Sequence, residues 1–168
     1  MAATEKRARQ MGMLWRAGLL AAVLAAPVSA SRLTLAIGSE PLGQSDGGQC
    51  EQADGNMPTA LVLTESDVER WDAQTAMWQL DAQRFPAAEG GRLSERCFVL
   101  SLDGKLLGRG VVLPVDTPRL TGYQTLNLVP RGQALWLQLT SGNHHNIHLL
   151  YVRELDAVLG TAARPASP

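Results

Sequence analysis

Two apolar runs that are separated only by Asp103-Gly104 constrain this chain more than any other feature. The runs cover 97–102 and 105–113 and are rich in Val and Leu. A two-residue loop of this composition favours a type I′ turn, in which both central residues have positive φ. The sequence therefore predicts an antiparallel β-hairpin. Gly108 and Gly110 interrupt its second strand, which indicates a bulge or the close approach of another backbone segment.

Short strand-like segments recur on both sides of this hairpin. Alternating or short apolar runs predict strands at 32–37, 77–80, 123–129 and 134–140. Helical patterns are fewer and shorter, and they lie between or after the strands. The mixture predicts an α+β fold, in which a single small domain at 31–160 has a mostly antiparallel sheet and two or three short helices.

A capping-box pattern predicts one helix in the middle of the chain. Thr64 and Asp67 match Ser/Thr-x-x-Asp/Glu, in which two side chains satisfy free backbone N–H groups at a helix start. The helix is expected to extend through Trp71, with Val68 and Trp71 facing inward and Asp67 facing water. A further helical turn is expected within 81–88.

The C-terminal segment has a second helix signal. Apolar residues recur at helical spacing over 151–159 and Gly160 follows them, so a helix is expected over 153–159. For 146–152 the pattern leaves strand and helix both open. The last eight residues, 161–168, contain two prolines and are expected to form a disordered tail.

The first thirty residues have the parts of a secretory signal peptide. Basic residues up to Arg16 precede an apolar run at 17–26, and Val-Ser-Ala at 28–30 supplies a cleavage site. An uncleaved N-terminal anchor is the alternative, although the run is shorter than the roughly 18 residues of a membrane span. Cleavage leaves 31–168 with a net charge of −4 and no membrane span. We therefore expect an exported protein, either periplasmic or secreted.

Cys50 and Cys97 are the two cysteines of the chain, and both follow the export signal. An even number of cysteines in an oxidising compartment predicts a structural disulfide between them. The bridge is expected to hold a polar loop at 38–59, which is rich in Gly, Ser, Asp and Gln. Free thiols and a redox-active pair are the alternatives, but the Cys-x-x-Cys spacing of redox pairs is absent.

Four runs between residues 61 and 128 resemble a known domain. They are LTESDVERWD, MWQLDAQRF, CFVLSLDGKLLGRGVVLP and LTGYQTLNL, and the third contains Leu102-Asp103-Gly104-Lys105. The pattern resembles the periplasmic head subdomain of the SecD protein-export subunit and similar small secreted bacterial domains. The resemblance implies a related α+β scaffold. It implies no activity, because one scaffold carries many functions.

All three histidines of the chain, His144, His145 and His148, lie in one short segment. On a helix, His144 and His148 would face the same way, and imidazole nitrogens bind zinc or copper. His145 occupies the position of the general-base Glu in H-E-x-x-H, so hydrolytic zinc chemistry is not expected. A solvent-exposed polar loop is the simpler interpretation, and a periplasmic metal-binding protein is the alternative.

A second motif, Gly43-x-Ser45-x-Gly47, matches the nucleophile elbow of hydrolases. That elbow requires a sharp turn from a strand into a helix, and neither predicted element adjoins it. A flexible loop explains the same residues, so a hydrolase is a further alternative and no catalytic residue is assigned.

Two tryptophans and one arginine are the candidates for contact with a ligand or partner. Trp71 and Trp136 are expected in the core, but tryptophan is also enriched at binding surfaces. Arg109 lies between two glycines and is suited to bind a carboxylate. We expect a non-enzymatic binding domain for another periplasmic or envelope protein or for a small ligand. The acidic charge argues against nucleic acid.

Overall fold

The computed structural model describes residues 32–43, 47–117, 123–141 and 148–162, and these contain nine strands and two short α-helices. The strands are β1 (Leu33–Pro41), β2 (Thr59–Thr64), β3 (Val68–Asp72), β4 (Met77–Leu80), β5 (Arg96–Leu102), β6 (Lys105–Pro114), β7 (Gln124–Arg131), β8 (Ala134–Ser141) and β9 (His148–Leu149). The helices are α1 (Gly90–Leu93) and α2 (Val152–Ala162), and 3-10 turns cover Gly47–Gln52, Glu65–Asp67 and Ala87–Glu89. The predicted α+β class is therefore corrected to a predominantly β fold.

The strands form one curled, mixed sheet in the order β2-β1-β5-β6-β7-β8-β4-β3, with β9 beside β8. Among the described strands, every neighbouring pair is antiparallel except β6 and β7, in which Gly110 lies beside Gln124. The predicted, mostly antiparallel sheet is thus confirmed. The strands at the two ends of this order, β2 and β3, follow each other in the chain and are connected only by the turn Glu65–Asp67. This short turn holds the two edges of the sheet together at one corner.

The predicted hairpin between β5 and β6 is confirmed. Asp103 has a φ of 48° and Gly104 a φ of 75°, as a type I′ turn requires. The register of the two strands shifts by one residue at Leu107, which is the predicted bulge. Gly110 permits the close approach of β7, because a Cβ there would lie 1.9 Å from the carbonyl oxygen of Gln124.

The main hydrophobic core lies on one face of the sheet, which we call the core face. Leu135, Leu137 and Leu139 of β8 are fully buried there, as their alternation predicts. Trp78 of β4 is 1% exposed and belongs to the same cluster. Helix α2 packs against β3 and adds Leu155 to the cluster, so it covers the core beside this edge strand.

The predicted helix from Thr64 through Trp71 is wrong, although its capping box is present. The Asp67 carboxylate accepts a hydrogen bond from the Thr64 backbone N–H at 2.8 Å, but the helical turn ends at Asp67 and β3 follows. One extra residue of β3 lies opposite β4 just after Val68. This bulge brings Val68 and Trp71 to the same face although they are three residues apart, a spacing that imitates a helix.

The prediction that Asp67 faces water is wrong, because only 4% of its surface is exposed. Its carboxylate accepts hydrogen bonds from the backbone N–H and the hydroxyl of Thr64 and forms an ion pair with Arg84. The Asp67 carbonyl oxygen accepts a further bond from the Asp81 N–H at 3.1 Å. These bonds fix the corner between β2 and β3.

We expect Asp67→Ala to lower the free energy of unfolding by about 2 kcal/mol, because a cap and a buried hydrogen-bonded carboxylate are lost together. Arg84→Ala is expected to cost less, about 1 kcal/mol, since the Arg84 side chain is 59% exposed and Asp67 keeps its two hydrogen bonds from Thr64. Urea unfolding of both variants measures the difference. Equal losses in the two variants would contradict the assigned role of Asp67.

The helix boundaries also differ from the predicted ones. Within the predicted segment 81–88, the Phe85 N–H donates to the Asp81 carbonyl oxygen at 2.8 Å, and the 3-10 turn Ala87–Glu89 overlaps its end. Helix α1 follows, so the helical turns continue past the predicted boundary. The predicted helix at 153–159 is confirmed as part of α2, which continues past Gly160, so residues 161–162 are helical. The predicted signal peptide at 1–30 and residues 163–168 lie outside the described part of the chain. Neither helix within that part is long and apolar enough to cross a membrane.

Candidate functional site

The predicted disulfide between Cys50 and Cys97 is present and joins residues 47 apart in the sequence. It attaches the 3-10 turn Gly47–Gln52 to β5, on the side of the sheet opposite the core face. Cys50 is fully buried there in a second, smaller apolar cluster with Val111 and Leu113. A disulfide is consistent with a secreted protein.

Two arginines fix the segments on either side of this disulfide. The Arg96 guanidinium donates hydrogen bonds to the carbonyl oxygens of Gly38, at 3.1 Å, and of Ser39. The Arg109 guanidinium donates to the carbonyl oxygen of Ala53 at 3.2 Å. Arg109, which the sequence offered as a ligand contact, therefore holds the disulfide-bonded loop against the sheet.

Backbone hydrogen bonds add to this support. The Ser39 N–H donates to the Pro58 carbonyl oxygen at 2.8 Å, and the Leu42 N–H donates to the Glu95 carbonyl oxygen at 2.6 Å. The end of β1 is thus bonded to the residues before β2 on one side and to the residues before β5 on the other. Both segments are held without the help of a ligand.

A cavity of about 440 Å³ lies between the fixed segments, and we call it the disulfide cavity. Its lining residues are Gly38, 40–43, Gln49, 52–54, Met57, Pro58 and Cys97. Leu42, Met57 and neighbouring prolines give the lining an apolar part. The volume falls within the roughly 300–1,000 Å³ of small-molecule sites.

The charged groups of the disulfide cavity are acidic. Glu40 and Asp54 line it together with the side-chain amides of Gln49 and Gln52, and no basic residue is among the described residues of the lining. The Asp54 carboxylate also accepts a hydrogen bond from the Asn56 N–H at 2.9 Å, which fixes its orientation. The lining therefore offers an apolar surface and two carboxylates, while the Arg96 and Arg109 guanidinium groups are bonded to the carbonyl oxygens of its residues Gly38 and Ala53.

A wider depression of about 700 Å³ lies at the corner between β2 and β3 and is also acidic. Its carboxylates are already engaged in the fold. Glu65 accepts hydrogen bonds from the backbone N–H groups of Arg32 and Leu33 at 2.9 and 3.0 Å. Glu69 accepts one from the side-chain amide of Gln79 at 2.8 Å. The Asp81 carboxylate accepts one from the Gln83 N–H at 2.9 Å. These bonds account for the three acidic residues, so the depression is the weaker candidate.

The two tryptophans suggested by the sequence lie away from the disulfide cavity. The Trp71 indole N–H donates to the Asp156 carboxylate at 2.8 Å, and its ring centre is 6.3 Å from that of Trp78. Trp71 thus joins β3 to α2. Trp136 lies on the opposite face of the sheet from the main core, with the Arg131 guanidinium 5.5 Å from its ring centre. The structure does not bring Trp71, Trp136 and Arg109 together.

The histidine and serine motifs are mostly outside the described residues. Ser45, His144 and His145 lie there, and only the backbone of His148 is described, in β9. Across the described part of the chain, no group of three or more His, Cys, Asp or Glu is arranged to hold a metal ion. The metal and hydrolase hypotheses therefore stay predictions.

The residues that line the disulfide cavity were missed as binding residues in the sequence. The available signal was a half-cystine inside a glycine-rich polar loop, which indicates a loop folded back on the sheet.

Comparison of the chain with protein-family models, with curated proteins and with solved structures found no match.

Proposed function

We propose that this chain is a non-enzymatic, exported binding domain, and that the disulfide cavity takes a small ligand with an apolar body and a cationic end. The observation that carries the proposal is a cavity whose walls are cross-linked by the bridge between Cys50 and Cys97. The disulfide also supports export, because such bonds persist in oxidising compartments.

Preorganisation favours binding at this position. Binding costs free energy when loops and side chains have to be ordered, and walls that are already fixed reduce that cost. Here the disulfide, the guanidinium groups of Arg96 and Arg109 and two backbone hydrogen bonds hold the walls. A larger share of the ligand's interaction energy is then available for affinity.

The lining selects the chemistry of the ligand. An apolar body contacts Leu42 and Met57, and the cationic end lies near Glu40 and Asp54. Both carboxylates are exposed, so their attraction is moderate and is weakened by salt. The described lining residues include no His, Ser, Thr, Lys or free thiol, which supports reversible binding. The zinc or copper alternative at His144, His145 and His148 has no comparable support in the described residues.

A matched pair of probes tests the proposal. We expect benzylammonium to bind about tenfold more tightly than benzoate, which has a similar size and the opposite charge. Glu40→Gln is expected to weaken benzylammonium about fivefold, since one attractive charge of the lining is lost. Dissociation constants of both probes are measured by NMR titration of the oxidised protein.

Glu51→Gln is the control, because Glu51 lies on the 3-10 turn Gly47–Gln52 beside the cavity, is exposed and does not line the cavity. It is expected to leave both dissociation constants unchanged. Equal binding of the two probes would overturn the proposal. An equal loss in the Glu40 and Glu51 variants would mean that net charge, and not the cavity, attracts the probe.

A further inference from the structure

The two edge strands of the sheet differ in their chemistry. Edge strand β3 has Glu69, Arg70 and Asp72, and charges on an edge oppose pairing with another strand. Edge strand β2 reads Thr-Ala-Leu-Val-Leu-Thr and contains neither a charge nor a proline. Among the described strands, β2 pairs with β1 alone. Within the described sheet, one side of β2 is therefore an uncharged pairing edge.

The side chains of β2 alternate as in a strand of a continuous sheet. Leu63 is 3% exposed and Leu61 is half-buried against the main core, whereas Val62 points to the other face and is 50% exposed. The Thr64 N–H is already bonded to Asp67, which limits the uncharged edge to the residues before it. A large exposed valine on an edge that no described strand covers indicates a surface for pairing.

We propose that β2 pairs antiparallel with β2 of a second copy of this chain across a twofold axis at Val62. Paired residues of neighbouring antiparallel strands share a face, so Leu61 then lies opposite Leu63 of the second copy, and Val62 lies opposite Val62. Ala60 lies opposite Thr64 at the end of this register, where the Thr64 N–H keeps its bond to Asp67 and adds no hydrogen bond to the pairing. Apolar residues meet apolar residues and no like charges face each other, which makes the edge self-complementary.

The strand is short, so the contact belongs to the small class of protein interfaces, below about 1,200 Å². We therefore expect a dimer that forms as the concentration rises. It is independent of the disulfide cavity, whose charged lining residues, Glu40 and Asp54, lie outside β2.

Sedimentation velocity over a range of concentrations tests the pairing. The wild-type sedimentation coefficient is expected to rise toward that of a dimer, and Val62→Lys is expected to raise the dimer dissociation constant at least about tenfold, because two ammonium groups would face each other. Leu106→Lys is the matched control, since Leu106 is 53% exposed and lies on β6, away from the edge. It is expected to dimerise like the wild type.

A cross-linking variant gives a second readout that does not depend on tolerance of a lysine. Val62→Cys is expected to form an intermolecular disulfide on mild oxidation much faster than Leu106→Cys, because directly opposed Cβ atoms lie about 4.5–5.5 Å apart. A wild-type protein that stays monomeric at every concentration would overturn the proposal. Equal cross-linking rates, or equal weakening by the two lysine variants, would overturn it as well.

Discussion

Gly110→Ala is expected to lower the free energy of unfolding by about 3 kcal/mol, the upper part of the usual range for overfilling a packed interior. A Cβ at this position would lie 1.9 Å from the carbonyl oxygen of Gln124 and 2.7 Å from its carbonyl carbon. Both atoms belong to the backbone of β7, so no side-chain rotation relieves the clash. The parallel pair β6–β7 lies in the middle of the sheet, and β7 would have to move away from β6.

Gly91→Ala provides the control for this prediction. Gly91 lies in α1, and a Cβ there would meet no atom within 4 Å. Alanine is favoured over glycine in a helix, so the change is expected to be neutral or to stabilise by up to about 1 kcal/mol. Urea unfolding followed by circular dichroism compares the two variants with the wild type. Equal stability of the Gly110 and Gly91 variants would contradict the close approach of β7.

The double variant Cys50→Ala with Cys97→Ala is expected to lose about 4 kcal/mol of stability. The bridge joins residues 47 apart, and its removal increases the conformational entropy of the unfolded chain. The change also leaves the buried site of Cys50 incompletely filled and releases one wall of the disulfide cavity. Affinity for benzylammonium is therefore expected to fall together with stability.

Reduction of the wild-type protein separates these two effects. Adding dithiothreitol breaks the bridge without removing a side chain, and it is expected to shift the urea midpoint in the same direction as the double variant. Probe binding is measured below the unfolding transition, where the sheet is still folded. An unchanged midpoint in dithiothreitol, or full affinity in folded reduced protein, would contradict the stabilising role of the bridge.

The sequence predicted those parts of the fold that depend on local chemistry. Asp103-Gly104 has a strong turn preference of its own, and the leucines of β8 alternate without interruption. Cys50 and Cys97 had no other cysteine to pair with. The helix α2 followed from apolar residues at helical spacing. In each case the deciding residues are neighbours in the sequence or are unique in type.

The prediction was wrong where a bulge changed the periodicity. Val68 and Trp71 are separated by a helical spacing, and the capping box before them strengthened the helix interpretation. Pairing of β3 with β4 decided the outcome, because the partner strand determines the backbone more strongly than local propensity does. A register shift of this kind depends on the pairing of two separate segments, so the sequence of either segment alone does not predict it.

The candidate site was beyond prediction for the same reason. Glu40 lies at the end of β1 and Asp54 in the loop before β2. They meet in one cavity only because β1, the 3-10 turn Gly47–Gln52 and β5 are held together. Arg109 was recognised as an unusual arginine, but its partner, the carbonyl oxygen of Ala53, is a backbone group that any residue could supply. The sequence predicted the disulfide between Cys50 and Cys97 but not the cavity beside it.

The location of the bound probe tests the account most directly. Benzylammonium is added to ¹⁵N-labelled, oxidised protein, and the backbone and indole N–H signals are followed by NMR. We expect the shifts to be confined to the two segments that line the cavity, 38–43 and 49–58, and to need a higher probe concentration in salt, which screens Glu40 and Asp54. Shifts centred on the Trp136 indole, or no shifts at all, would show that the disulfide cavity is not the binding site.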